Sequence, residues 1–339
     1  MAALLSVRKP MGGQFSLISG RNPLSYSLLY SRGTVTINGK EQAEKEDIFM
    51  ESARSCYTLS NGVAIPCIGF GTYNAKGGDN LAINRTAIEA GYRYFDTASL
   101  YETERVLGQA IKESGIPRKE FFIVSKLWID ERGYQGAKEA FERSLDRLQT
   151  DYLDLYLIHW PRGMEGDTDW KETDLETWRA MEELCEAGRV RGIGLSNFLP
   201  HHADVILKNG KIKPVVDQLE VHPGYTQEAA VRYCEENGIR VQAWSPLGRS
   251  AMLENPILKC YAEKYGKSVA QICLRFLLQK GIIPLVKSST LERMKQNQDI
   301  FDFEITAEDM SVLNNMPQNT WLGEHPDFAI PKKRSNFAQ

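Results

Sequence analysis

No apolar run in the 339 residues approaches the roughly 18 that a membrane-spanning helix needs, so an integral helical membrane protein is not expected. Six cysteines (Cys56, Cys67, Cys185, Cys234, Cys260, Cys273) include no C-x-x-C pair, which argues against a disulfide framework and for reduced, buried thiols. There are only five histidines, and His201-His202 is the only close pair, so no dedicated metal site is expected. An excess of either charge is missing too. Forty-one Lys plus Arg against 44 Asp plus Glu leave a net charge of -3, which excludes a global attraction to nucleic acid or anionic lipid but leaves room for a local basic pocket. With 42% hydrophobic residues the chain can bury a large core, so wholesale disorder is excluded.

Acidic residues are absent from residues 1 to 40, where Arg8, Lys9, Arg21, Arg32, Lys40 and six serines stand, and become plentiful from Glu41 onward. A basic, Ser-rich, acid-free segment has the make-up of an organelle transit peptide. An untargeted disordered extension and an over-long gene start ahead of Met50 weigh equally against it. The chain is accordingly divided into an extension, 1-50, and a structured part, 51-339, with a core over about 56-320 and a tail at 318-339. Mitochondrial or plastid localisation follows only if the extension is a true address; otherwise the cytoplasm is expected.

Tyr57-Thr58-Leu59 and Val63-Ala64-Ile65 flank Ser60-Asn61-Gly62, a hairpin pattern that should close one end of a core. Beyond it, helical patterns end at Gly91, Gly115, Gly188, Gly210, Gly238 and Gly281, each expected in the left-handed conformation that ends a helix. Val269, Ile272, Cys273, Phe276 and Leu277 have helical spacing behind a Ser268/Gln271 capping box; Ala137, Phe141, Leu145 and Leu148 mark another helix. Between helices lie strand candidates near 67-70, 93-96, 121-126, 153-158, 190-195, 215-220, 240-244 and 282-287. Runs such as Leu155-Tyr156-Leu157-Ile158 are continuously apolar, as parallel strands covered on both faces are.

Such alternation fits a doubly wound sheet or a closed (β/α)8 TIM barrel. A dinucleotide-binding doubly wound domain should carry G-x-G-x-x-G, but Asn74 and Asn197 stand where the third glycine should be after Gly69-x-Gly71 and Gly192-x-Gly194. A P-loop fails too, since Tyr261 occupies the first glycine position before Gly266-Lys267-Ser268. A single barrel, its bottom closed by the N-terminal hairpin, is the expectation. Its catalytic face should lie at the C-terminal strand ends. Those ends carry Asp96, Lys126, His159, Ser196-Asn197, Gln218 with Glu220, Trp244-Ser245 and Lys287-Ser288, so polar residues reach one rim from seven strands in a row. Asp96 can pair with Lys126, and a cation beside a phenol favours ionisation, so Tyr101 in the following loop is expected to have a lowered pKa and to act as general acid towards a carbonyl oxygen that His159 orients.

The runs Gly91-Tyr92-Arg93-Tyr94-Phe95-Asp96-Thr97-Ala98 with Tyr101, Lys126-Leu127-Trp128, Asp154-Leu155-Tyr156-Leu157-Ile158-His159-Trp160-Pro161 and Gly194-Leu195-Ser196-Asn197-Phe198 resemble the aldo-keto reductase superfamily. The resemblance runs from about 56 to 320. It implies an NADPH-dependent reductase of aldehydes and ketones with Asp96, Tyr101, Lys126 and His159 as a catalytic tetrad. Relatives that reduce steroid carbon-carbon double bonds carry Glu where His159 stands. Cofactor contacts carry over onto Gly71, Thr72, Ser196, Asn197, Gln218, Trp244, Ser245, Leu247, Ser250, Lys287, Ser288, Arg293, Gln296 and Asn297. Among these, Trp244 is the ring that stacks on the nicotinamide, and its Trp resembles the branch with protozoan prostaglandin F synthase and bacterial 2,5-diketo-D-gluconate reductases. Lys287, Ser288 and Arg293 suit a 2′-phosphate, hence NADPH over NADH; relatives read Ile-Pro-Lys-Ser where this chain has Leu285-Val286-Lys287-Ser288 with Pro284 displaced.

His159 with the aromatic positions Tyr73, Trp128 and Trp160 should line the substrate site, completed by a loop from Trp160 to Thr173 and by the tail with Trp321, His325 and Phe328. The expected partner is a small carbonyl compound, without nucleic acid, membrane or metal, and the chain is expected to be a monomer. Two other classes stand beside this reading. An NADPH-binding regulatory module of the channel β-subunit type would share the resemblance; a metal-dependent barrel hydrolase would need clustered ligands, and only His159 and Asp96 stand at strand ends.

Overall fold

Two short strands, β1 (Cys56–Thr58) and β2 (Ala64–Pro66), pair antiparallel with Tyr57 opposite Ile65. Leu59 donates its N–H to the Val63 carbonyl (2.9 Å) and accepts from Gly62 N–H (2.8 Å), so the loop has three residues, Ser60-Asn61-Gly62. Gly62 closes it at φ +83, where a side chain would be strained. Tyr57 Oη donates to the Leu278 carbonyl, Asn61 Nδ2 donates to the Arg191 carbonyl, and the Arg240 guanidinium lies 4.4 Å from the Tyr57 ring centre. Arg191 and Arg240 stand where strands begin, so the hairpin caps the bottom of the barrel. The computed structural model describes residues 50–73, 79–163, 167–318, 321, 322 and 325–327. The expectations for the 1-50 extension fall outside these residues except at Met50, as does Phe328.

Eight parallel strands then close into a ring: β3 (Gly69–Gly71), β4 (Tyr94–Asp96), β5 (Phe122–Leu127), β6 (Leu155–Ile158), β7 (Ile193–Ser196), β8 (Val216–Glu220), β9 (Arg240–Trp244) and β10 (Ile283–Val286). The ring closes where Leu285 and Val286 pair with Gly69 and Phe70. Each strand leads into helix: α1 (Asn80–Glu89), α2 (Glu104–Glu113), α3 (Tyr134–Leu148), α4 (Trp170–Glu186), α5 (Pro200–Asn209) and α6 (Glu228–Glu236) follow in turn. After β9 come α7 (Pro256–Tyr265) and α8 (Val269–Gln279), and after β10 come α9 (Leu291–Gln298) and α10 (Ala307–Asn314). The (β/α)8 barrel expected from the alternation is what the chain forms. All four residues of β6 are buried, because the barrel interior covers one face and helices the other. Ser268 and Gln271 form the reciprocal capping box at the start of α8, with Gln271 Oε1 accepting from Ser268 N–H at 2.9 Å. No helix among the described residues is long and apolar enough to cross a membrane.

Two local expectations are corrected. Five of the six helix-ending glycines have positive φ, but Gly210 is extended at φ -76, ψ 150. Its glycine is explained by space: a Cβ there would lie 2.7 Å from Trp178 Nε1, which donates to the Ile212 carbonyl at 3.0 Å. The segment taken as a loop from Trp160 to Thr173 ends earlier, since α4 already begins at Trp170.

Candidate active site

Three neighbouring strand ends, with the turn that follows the first of them, bring the tetrad together. Asp96 is the last residue of β4, Lys126 lies near the end of β5, His159 follows β6, and Tyr101 ends a short 3-10 turn, Ser99–Tyr101, beyond β4. Lys126 is fully buried and spends its ammonium on Asp96 Oδ1 (2.6 Å), the Thr97 carbonyl (3.0 Å) and Tyr101 Oη (3.5 Å). Tyr101 Oη is 3.4 Å from His159 Nε2. A phenol thus stands between an ammonium and an imidazole.

The electrostatics correct one expectation. The Tyr101 pKa is not lowered: burial, then the Asp96 carboxylate and Tyr73, push it well above the ordinary phenol value. Lys126 cannot overcome this because it pairs more closely with Asp96 than with the phenol, and burial itself lowers the Lys126 pKa against the pull of Asp96. Burial and the Lys126 charge push His159 well below the usual imidazole range. At neutral pH the arrangement is therefore a protonated phenol beside a neutral imidazole.

A second polar group adjoins the tetrad. Gln218 Nε2 donates to Asp96 Oδ2 (2.8 Å) and to Gln242 Oε1 (3.0 Å), while Ser196 Oγ donates to the Gln218 carbonyl (3.1 Å). Asn197, in the left-handed region at φ 62, donates from Nδ2 to the His159 carbonyl (3.0 Å) and accepts at Oδ1 from Trp244 Nε1 (2.8 Å). One hydrogen-bonded system therefore runs from Trp244 to Asp96. Gln242 is a member that the sequence reading missed. The alternation of β9, which puts residues 240, 242 and 244 on one face, was the available signal.

The other candidates occupy the same rim. Gly71 ends β3; buried Thr72 donates its N–H to the Asp96 carbonyl (2.9 Å). Ser245, Leu247 and Ser250 lie in a tight segment in which Ser245 (φ 48), Gly248 (φ 54), Arg249 (φ 50) and Ser250 (φ 76) are left-handed, and Ser250 is exposed. Lys287 follows β10 with its Nζ buried and without a hydrogen-bond partner among the described residues, and burial lowers its pKa to about 8. Ser288 and Asn297 are buried, whereas Arg293 and Gln296 are exposed on α9.

Trp128 meets the His159 ring edge-on with centroids 4.9 Å apart, and Trp128, Ile129 and Trp160 form a small apolar cluster with Leu100, separate from the barrel cores. Tyr73 is 46% exposed and its ring lies 4.9 Å from Tyr101. From the tail, Trp321 reaches within 6.4 Å of Trp244 and 5.3 Å of His325.

His201 and His202 gain a third neighbour, since both Nε2 atoms lie close to Asp327 Oδ1, at 3.0 and 3.1 Å. Yet His202 Nδ1 accepts the Leu199 N–H, so the proton of a neutral His202 sits on Nε2, the atom a metal would need bare. The group reads as a fastening for the tail.

Comparison with known proteins places these features. Residues 67–316 match the aldo/keto reductase family model. The chain is 44% identical over 277 residues to a glyoxal reductase of Bacillus subtilis, covering 81% of this chain and 98% of the relative. It is similar to an aldo-keto reductase from a Medee basin deep-sea metagenome library, with TM-score 0.75, 39% identity and coverage of 80% of this chain and 98% of that one. The aldo-keto reductase of Bombyx mori, solved in complex with NADP, aligns with TM-score 0.70 and 38% identity over 76% of this chain and 91% of that one.

Proposed function

Because this chain belongs to the aldo/keto reductase family, we propose that it reduces small aldehydes and ketones to alcohols with NADPH, using Tyr101 as the general acid. The observation that carries this reading is the position of Tyr101 Oη, between Lys126 Nζ at 3.5 Å and His159 Nε2 at 3.4 Å. A carbonyl oxygen seated there would accept hydrogen bonds from the phenol and from imidazole N–H as it gains negative charge. The bound cofactor supplies hydride to the carbonyl carbon. Tyr101 holds the proton that the oxygen needs, and its raised pKa keeps that proton in place until the oxyanion develops. Lys126, anchored on Asp96, holds positive charge beside the phenolate that remains.

The chain's own donor set suits the cofactor. Lys287 has a buried Nζ without a hydrogen-bond partner among the described residues, the chemistry that a 2′-phosphate satisfies, and Arg293 in the first turn of α9 adds a second charge. Ser196, Asn197 and Gln218 would hold the carboxamide, and Gln218, with both amide hydrogens engaged, has its oxygen left to accept. Trp244 would stack on the nicotinamide, its indole turned by the bond to Asn197, and a Trp at this position is what this chain would share with the prostaglandin F synthase and 2,5-diketo-D-gluconate reductase branch. Gly71, Thr72, Ser245, Leu247, Ser250, Ser288, Gln296 and Asn297 complete the cofactor set in this proposal. Tyr73, Trp128, Trp160 and His159 would line the substrate site.

The test is NADPH oxidation against aldehydes, α-dicarbonyls, keto sugars and quinones, with Tyr101→Phe alongside the natural chain. Loss of the acid should cost about 10²- to 10⁴-fold in turnover, with NADPH affinity nearly unchanged. Undiminished turnover would remove Tyr101 from the mechanism. The assembled tetrad argues against a purely regulatory role of the channel β-subunit type, which would survive Tyr101→Phe.

A further inference from the structure

The substrate wall proposed above is not part of the barrel core. Trp128, Ile129, Trp160 and Leu100 form their own cluster, contributed by the loops after β4, β5 and β6. Beside this apolar contact, two adjacent residues of opposite charge tie the three loops together through side-chain bonds.

Glu131 reaches towards the loop after β4. Its Oε2 accepts the Ser99 hydroxyl (2.9 Å), two residues before Tyr101, while Oε1 accepts from Arg143 Nη2 (3.0 Å) on α3. Arg132 reaches the other way, and its side chain is 4% exposed. Nη1 donates to the Pro161 carbonyl (3.1 Å), directly after Trp160, and to Asp174 Oδ1 (2.7 Å) on α4. Nη2 donates to Asp167, whose Oδ2 also accepts the Gly163 N–H (2.9 Å). Nε donates to the Ile129 carbonyl (3.5 Å) in its own loop. The guanidinium thus bonds to two carboxylates and two carbonyls through a planar fork that Lys cannot reproduce. The backbone is built around it: a Cβ on Gly163 would lie 2.6 Å from Arg132 Nη2.

We propose that Glu131 and Arg132 are specificity-determining positioning residues that together fix the gap between the Tyr101 phenol and the Trp128–Trp160 wall, and so set the bulk of carbonyl substrate that fits. Neither residue touches the reacting atoms. The proposal rests on the carbonyl-reductase reading. Removing Arg132 frees the Trp160 loop from the Trp128 loop, so a bulky substrate that leans on both indoles loses its seat, whereas a short aldehyde held at Tyr101 and His159 does not. Removing the Glu131 carboxylate frees the turn that carries Tyr101 itself.

The experiment uses the full chain and its Arg132→Met, Arg132→Lys, Asp167→Asn and Glu131→Ala variants with propanal and 4-nitrobenzaldehyde. Arg132→Met should raise KM for 4-nitrobenzaldehyde at least tenfold, while kcat for propanal and the Kd for NADPH stay within twofold. Arg132→Lys should fail to rescue. Glu131→Ala should lower kcat for both aldehydes, because the phenol is displaced. Asp167→Asn, on the partly exposed end of the staple, should shift the ratio of kcat/KM for the two aldehydes in the same direction by about threefold, and it decides the matter where Arg132→Met does not fold. Equal losses for both aldehydes in the Arg132 and Asp167 variants, or rescue by Lys, would overturn the proposal. If the natural chain turns over neither aldehyde, the carbonyl-reductase reading fails instead. Quenching of tryptophan fluorescence by 4-nitrobenzaldehyde then still decides the staple: weaker binding in Arg132→Met supports it and equal binding refutes it.

Discussion

At Lys287 burial pulls the ammonium towards neutrality and no carboxylate among the described residues opposes it, which is why its pKa falls to about 8. An anion bound there would raise it again, so binding and protonation are linked. With the free-site pKa near 8, the cation is fully present below that pH and is lost above it. NADPH affinity should therefore fall as pH rises from 8 to 9, by at most about tenfold per unit, while NADH affinity stays nearly level. Fluorescence titrations at pH 7 and 9 check this. Lys287→Ala should weaken NADPH more than NADH and remove the difference in pH dependence between the two cofactors, leaving the smaller preference that Arg293 supplies. Asp96, Lys126, His159 and Lys287 were legible in the sequence because each sits at or next to a strand end, where the fold leaves little freedom about which rim it joins, and Tyr101 because its loop is short and follows directly from β4. Glu131 and Arg132 were not: two adjacent opposite charges before a helix look like a solvated start, and their partners at Ser99, Pro161 and Asp174 are distant in sequence. The depression expected of the Tyr101 pKa failed for a related reason. A sequence places Lys126 near the phenol but does not reveal that Asp96 lies closer to it.

Elements were read more reliably than their ends. The eight strands were found because alternation of apolar runs with helical patterns is a property of whole segments, while turn geometry depends on single residues. Gly210 illustrates the difference, since a glycine after a helix looks the same whether it serves a left-handed backbone or a close neighbour. The two roles predict different behaviour. Gly210→Ala drives a methyl against the Trp178 indole and should cost about 1–3 kcal/mol as overpacking. Gly238→Ala, at φ +72 with only a distant Ser60 contact, should cost about 1 kcal/mol as backbone strain. Urea unfolding of both variants, and of Gly210→Ala combined with Trp178→Phe, separates the causes. The second change should recover part of the loss at 210 because it removes the crowded Nε1.

For the whole molecule, buried histidines link stability to acid. Burial and His201 depress His202 to about 3, against an ordinary 6.5, with Asp327 pulling the other way. The folded chain then leaves His202 neutral at pH 5, where the unfolded chain protonates it. Its contribution to stability is whole above pH 6.5 and declines as pH falls towards 3, by about 1.4 kcal/mol per unit. Burial-raised Asp174 and Asp217 work in the opposite sense, so the total slope is a balance. The diagnostic is the difference from His202→Gln. Thermal melts between pH 7.5 and 5 should show the variant losing less stability on acidification than the natural chain, and parallel losses would exclude His202 as a contributor.

The barrel's first and last strands are neighbours. Gly69 and Phe70 meet Leu285 and Val286, which lie at the other end of the barrel's chain, so this contact closes a loop that holds nearly all of the barrel's sequence. Loop-closure entropy makes such a contact late and slow to assemble. Lys287 is the residue immediately after it. A cofactor phosphate gripped there would act as a clasp on the ring, holding shut the joint that forms last.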